Sequence, residues 1–285
     1  MTLRFACVLM LLLATCALQA QPHPGPGTQL SQVRADDGQT LAVWSRVPAQ
    51  PRGAILLVHG RTWSSLPNFD LQIPGEPRDS RSVLAALAQA GSAAYAVDLR
   101  GYGGSARDGS GWNTPVRAVA GVSEVLAWIA RKHAHLPAPA LLGYSNGARV
   151  ALLIGPQRPQ ALSALVLYGF PDDVDAASEA TPTPVPPLRA RITAEAAGED
   201  FITVNAAPPG VHAACAAQAV SADPVRTDWR ALEQFAFHPE QVLKLPVLLL
   251  RGVDDPIATS RTTPTCTHAC AAKIAAGSRC RAPIT

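Results

Sequence analysis

Gly143-Tyr144-Ser145-Asn146-Gly147 carries the clearest chemical signal in the chain. An apolar run, Ala138 to Leu142, precedes it and reads as a short buried strand. Ala148 to Ile154 follows and reads as a helix. A serine flanked by glycines on a sharp strand-to-helix turn is a nucleophile elbow, with its hydroxyl held out at the end of a sheet. A serine hydroxyl needs a base to take its proton. Attack on an acyl carbon also builds negative charge on the carbonyl oxygen, which backbone N–H groups must meet. One such donor is the N–H of Asn146, the residue after the nucleophile. The other is expected just after His59-Gly60, at Arg61, with Thr62 held in reserve.

The elements that must position these groups alternate between strand and helix. Gln39 to Val47 reads as an early strand. Ala54 to Val58 is a continuous apolar run, as in a central strand buried on both faces. Ser80 to Ala90 reads as an Ala/Leu helix ended by Gly91. Ala93 to Val97 is the next strand and exits into the glycine-rich stretch Asp98 to Ser105. Pro115 to Lys132 is helical, with Val119, Val122, Val125, Leu126 and Ile129 on one side. Leu162 to Leu167 and Pro246 to Leu250 are further strands, and Trp229 to Phe237 reads as a helix. The pattern predicts an α/β fold with a mostly parallel central sheet, helices on both faces and a site at the carboxyl ends of the strands. Residues 171–227 break the rhythm with a Thr/Pro tract and short helical patches, which predicts a small helical cap.

Four stretches taken together resemble the α/β-hydrolase family across residues 37–258. They are Val58-His59-Gly60, Asp98-Leu99-Arg100-Gly101-Tyr102-Gly103, the Ser145 elbow, and Leu249 to Pro256. The resemblance implies a Ser-Asp-His triad in that chain order, a small-molecule acyl substrate, and no metal or cofactor. It places the acid at Asp255, with Asp254 its neighbour and Asp172 a distant third. The base should be a histidine after one more strand, and His268 stands only 13 positions after Asp255. His133 and His135 read as cations suited to a helix end, His59 as packing beneath the oxyanion loop, and His212 and His238 as belonging in or beside the cap. Trp63, Phe69 and Trp112 stand on loops that could line an apolar pocket or simply pack. The serine argues against dehalogenase or epoxide-hydrolase chemistry. An ester or a similar acyl bond is the expected substrate, and a non-catalytic relative binding a small apolar ligand is the rival reading.

Composition sets the remaining bounds. The 285 residues have a net charge of +3 with scattered basic residues, so no nucleic-acid partner is expected. Arg4, an apolar run from Phe5 to Leu18 and Ala20-Gln21 form a secretory signal peptide over residues 1–20. Its apolar run is short for a membrane span, so an exported, periplasmic or secreted protein is expected, with lipid attachment at Cys16 the minor alternative. Residues 21–36, rich in Pro, Gly and Gln, read as a flexible segment. Cys7 and Cys16 fall in the leader, Cys215 stands alone, and Cys266, Cys270 and Cys280 crowd the tail, so no disulfide framework is expected.

Residues 259–285 are atypical. From Pro256 onward there is no Asp or Glu, and Ile257, Ile274 and Ile284 are the only large aliphatic residues, so the last strand and helix of the fold cannot be read there. With third bases chosen freely, the codons of Thr262 to Thr285, read one base earlier, encode DDADVHARLRGKDRRWVTVPGADH. That string holds a polar helix, a strand and a histidine loop. The tail is therefore expected to be the product of a frameshift near residues 258–262.

Overall fold

The computed structural model describes residues 24–170, 190–199, 201, 207–236, 244–252 and 255. The chain opens with β1 (Gln29–Arg34) and β2 (Thr40–Arg46), an antiparallel hairpin turned at Gly38, where φ is +84°. This corrects the expectation of a flexible segment over residues 21–36. In β1 only Val33 is buried, so the strand is held by main-chain pairing to β2 and leaves little hydrophobic pattern in the sequence.

β3 (Gly53–Val58) is the central strand, and Leu56, Leu57 and Val58 are fully buried. It leads through α1 (Ser65–Phe69) to the small hairpin of β4 (Asp70–Leu71) and β5 (Arg81–Ser82), then to α2 (Val83–Gln89) and β6 (Ser92–Val97). β7 (Trp112–Asn113) precedes α3 (Pro115–Lys132), whose span matches its sequence signals. The Thr114 hydroxyl accepts the Arg117 N–H, and Pro115 occupies the first turn, where a missing N–H costs nothing. β8 (Ala140–Tyr144), α4 (Asn146–Gln157) and β9 (Leu165–Tyr168) carry the elbow and the strand beside it. Then come α5 (Ala194–Gly198), α6 (Pro209–Ala222), β10 (Asp228–Trp229) and β11 (Val247–Leu250).

The main sheet runs β1-β2-β6-β3-β8-β9-β11. β2 is antiparallel to both its neighbours, and the pairs from β6 to β11 are parallel. Alternate residues of β3 and β6 enter different cores. Leu56, Val58, Tyr95 and Val97 pack with α3 and α4, whereas Leu57, Ala94 and Ala96 pack with α1 and α2. Helices therefore cover both faces, as the near-continuous apolar strands require.

Residues 229–236 depart from the helix expected over 229–237, whose last residue lies outside the described residues. Asp228–Trp229 pairs with Trp112–Asn113 as a short parallel bridge, Ala231 takes a left-handed conformation at φ 54°, and Leu232–Phe235 forms one 3₁₀ turn. The spacing of Trp229, Leu232 and Phe235 is helical, yet Trp229 and Phe235 are placed by stacking on each other, with ring centroids 5.9 Å apart.

Candidate active site

Ser145 joins β8 to α4 with φ 52° and ψ −118°, a conformation that costs a residue with a side chain about 1–3 kcal/mol. Main-chain contacts enforce it. Its N–H donates to the Tyr168 carbonyl at 2.8 Å, and its own carbonyl accepts the Ala148 N–H at 2.8 Å. A Cβ on Gly143 would stand 2.2 Å from the Gly147 carbonyl oxygen, and one on Gly147 would stand 2.3 Å from that of Val58. Only glycine lets the strand and helix approach so closely. A Cβ on Gly60 would lie 3.3 Å from Ser145 Cβ, so the loop after β3 passes directly beside the serine. Ser145 is half-buried, and among the described residues its Oγ makes no hydrogen bond.

That loop is set by His59, which is wholly buried. The Leu99 N–H donates to its Nε2 at 3.0 Å, so the ring proton sits on Nδ1 and donates to the Gly60 carbonyl at 2.8 Å. Burial holds the imidazole below its ordinary pKa, against the pull of the nearby Asp98 charge. The Gly60–Arg61 peptide is trans, so the Arg61 N–H points opposite to the carbonyl held by His59. Among the described residues no hydrogen bond uses the N–H of Arg61 or of Asn146. The Arg61 carbonyl accepts the Tyr102 hydroxyl. The Arg61 guanidinium is drawn below its ordinary value, chiefly by burial and then by Arg226.

Two carboxylates brace these loops, and the sequence reading assigned a role to neither. Asp98, only 1% exposed, accepts the Trp44 indole N–H at 2.8 Å and the main-chain N–H groups of Ser65 and Gly104 at 2.8 and 2.9 Å. Asp223 accepts main-chain N–H groups of Ser64 and Gly103. For Asp98 the available signal was a carboxylate at the exit of a buried strand. For Asp223 it was an Asp-Pro pair ending an alanine-rich helix.

Asp255 comes to the same end of the sheet. A Cβ on Gly169, which follows β9, would lie 3.4 Å from the Tyr144 ring and 3.6 Å from Asp255 Oδ2. The structure thus gathers Ser145, Arg61, Asn146 and Asp255 around the carboxyl ends of β3, β8, β9 and β11. Asp172, Asp254, His238 and His268 lie outside the described residues.

The described histidines have other engagements. His133 is buried, its Nε2 lies 2.6 Å from the Tyr95 hydroxyl, and burial first, then His135 and Lys132, lower its pKa. The reading of His133 as a helix-end cation is therefore corrected: it is a neutral partner of Tyr95. His212 stacks on Phe201 at 4.1 Å. The loop aromatics pack. Trp63 is buried with Ala197, Ala216 and Ala219 of α5 and α6, Phe69 belongs to the α1–α2 core, and the Trp112 ring lies under the Arg230 guanidinium. Among the described residues no group of three or more His, Cys, Asp or Glu could hold a metal, and no helix is long and apolar enough to cross a membrane.

A mostly parallel sheet with helices on both faces and a strained serine at the β8–α4 elbow define a protein of the α/β-hydrolase class. A family model described as "Serine aminopeptidase, S33" matches residues 49–197, more than half of the chain, and the chain belongs to this family of α/β-hydrolases. Solved structures agree in fold. The thioesterase domain from the curacin biosynthetic pathway superposes with a TM-score of 0.55 at 18% identity, covering 89% of this chain and 93% of that one. A hydrolase from Pseudomonas aeruginosa gives 0.54 at 18% identity, covering 89% and 91%. An esterase from Exiguobacterium antarcticum gives 0.52 at 16%, covering 86% and 90%. No curated protein matches the chain.

Proposed function

We propose that this hydrolase cleaves a carboxylic ester or similar acyl bond through an acyl-enzyme on Ser145. The carrying observation is that two main-chain N–H groups without a partner among the described residues, those of Arg61 and Asn146, belong to the segments that flank Ser145. In this reading Ser145 Oγ attacks the acyl carbon, and the two N–H groups take up the charge on its oxygen. A histidine receives the serine proton and passes it to the leaving group, and Asp255 holds that histidine in the required tautomer. Residues 1–20 direct export and are removed after Ala20, and the acyl substrate enters beneath a cap to which α5 and α6 belong.

A second reading has its own support. Among the described residues no histidine is bonded to Ser145, and the tail from residue 259 has the composition of an out-of-frame translation. In that reading the chain keeps the nucleophile and the oxyanion donors but lacks the base, and at most binds a small apolar ligand. Labelling of the folded protein with a fluorophosphonate probe separates the two. Labelling that disappears in Ser145→Ala supports the enzyme, and no labelling of folded wild type supports the second reading. Resequencing the gene tests the tail: an unshifted frame ending at Thr285 rules out the frameshift. A panel of acyl esters of graded chain length, with a thioester beside them, then identifies the substrate class.

A further inference from the structure

Asp223 closes the C-terminal end of α6 and is 4% exposed. Its Oδ2 accepts the Ser64 N–H at 2.8 Å, and its Oδ1 accepts the Gly103 N–H at 2.9 Å. Both donors are main chain, so the carboxyl group fixes the path of two loops whatever side chains they carry. Ser64 stands three residues beyond Arg61, in the segment that runs from β3 past Ser145 into α1. Gly103 follows Tyr102, whose hydroxyl donates to the Arg61 carbonyl.

The stretch just beyond Asp223 repeats the pattern. The Thr227 hydroxyl donates to the Gly101 carbonyl at 2.7 Å, and the Trp229 indole N–H donates to the Tyr102 hydroxyl at 2.7 Å. Residues 223–229 therefore hold Gly101, Tyr102 and Gly103 in succession. The Gly103 N–H can face Asp223 because φ there is +46°; a Cβ at that position would overlap Asp98 Oδ2 at 2.4 Å. The segment from Gly60 to Ser64 is consequently fixed at its start by His59, at its end by Asp223, and in the middle by a tyrosine that residues 223–229 position.

We propose that Asp223 is the positioning residue of the oxyanion loop, coupling the seating of α6 to the direction of the Arg61 N–H. The proposal rests on the reading of Arg61 as an oxyanion donor. Its consequence is that whatever moves α6, including an acyl chain lodged beneath it, also retunes the donor at Ser145. Two main-chain hydrogen bonds favour the Asp223 carboxylate, but burial outweighs them and raises the group to about 6. The titratable groups facing it are Asp98, which accepts three N–H donors, and the Tyr102 phenol, whose hydroxyl burial pushes up.

The test uses the full chain, ¹⁵N-labelled, as wild type, Asp223→Asn and Asp223→Ala, with the unfolding midpoint of each recorded. From pH 4 to 8 the amide signals of Ser64, Gly103 and Arg61 should move together in wild type with one midpoint near the Asp223 value of about 6. That inflection should vanish in Asp223→Asn. With p-nitrophenyl acetate, kcat should fall about tenfold or more in Asp223→Ala and less in Asp223→Asn, while KM stays within about twofold. An Arg61 amide that stays still while Ser64 and Gly103 titrate overturns the proposal. So does an unchanged kcat in both variants. Hydrolysis that survives Ser145→Ala refutes the site reading instead, and the amide titration then still decides whether Asp223 sets the loop.

Discussion

The Leu99 N–H donates to Nε2 of His59 at 3.0 Å, across two loops that leave neighbouring strands. A main-chain N–H cannot accept, so this contact assigns the tautomer of a ring that no solvent reaches. His59 should therefore remain neutral at physiological pH. In ¹⁵N NMR its Nε2 should resonate as unprotonated and Nδ1 as protonated. A His59 ring that becomes doubly protonated between pH 5 and 8 in the folded chain would contradict this.

Acid should destabilise the fold through two histidines. His59 and His133 are both held below the ordinary value of 6.5, each chiefly by burial. For a depressed histidine the neutral form belongs to the folded state. The stability it contributes is fully present above the unfolded value near 6.5 and is lost as pH falls toward the folded one. Thermal midpoints should accordingly decline below about pH 6.5, and the slope should flatten in His133→Gln. An identical slope in that variant would remove His133 from the account.

Alkali should act through tyrosines in the opposite direction. Burial raises Tyr95 to about 12 and pushes Tyr102 higher. Raised phenols contribute stability that is fully present below pH 10 and is lost as pH climbs through their folded values. A spectrophotometric titration of phenolate absorbance should show Tyr95 and Tyr102 silent until the chain unfolds. Smooth titration of all four tyrosines in folded protein would refute the burial described for Tyr95 and Tyr102.

Substitution at the elbow glycines should be costly, and a nearby glycine gives the control. Gly147→Ala drives a methyl group into main-chain oxygens at 2.3 and 2.5 Å, which cannot yield without moving β3. A loss of about 1–3 kcal/mol or more is expected in denaturant unfolding. Gly53→Ala meets nothing within 4 Å and should be neutral or slightly stabilising. Equal effects at the two positions would show that the close packing of the elbow is wrong.

Ser145→Gly and Ser145→Ala should part company in stability while agreeing in chemistry. Both remove Oγ, and so any labelling that depends on it. Only glycine relieves the backbone at φ 52°, which should leave that variant about 1 kcal/mol more stable than the alanine one.

Legibility in the sequence followed locality. The α3 span could be read because Thr114, Pro115 and the stripe from Val122 to Ile129 are all local signals. The elbow was legible for the same reason, since two glycines and a serine encode a turn within five residues. β1 was not, because one buried residue in six leaves no alternation to detect. The helix expected over residues 229–237 failed because tertiary stacking of Trp229 and Phe235 overrode a helical spacing. The bond from Ser64 to Asp223 spans 159 positions and joins main chain to carboxylate, so neither residue announces the other.

The closest contacts around Gly143 and Gly147 involve main-chain atoms alone on the opposing side. The tightest part of the turn is thus written in the backbone, and the Asn146 side chain carries none of it. The Tyr144 ring, by contrast, lies 3.4 Å from where a Cβ on Gly60 would stand. Tyr144 spends its ring on Tyr168, 5.1 Å away at the mouth of the sheet. Among the described residues the buried side-chain amide nitrogen of Asn146 has no hydrogen-bond partner. The turn behaves as a socket: its frame is indifferent to the side chain plugged in at Asn146, so that position is where a change of substrate could be tried without rebuilding the nucleophile.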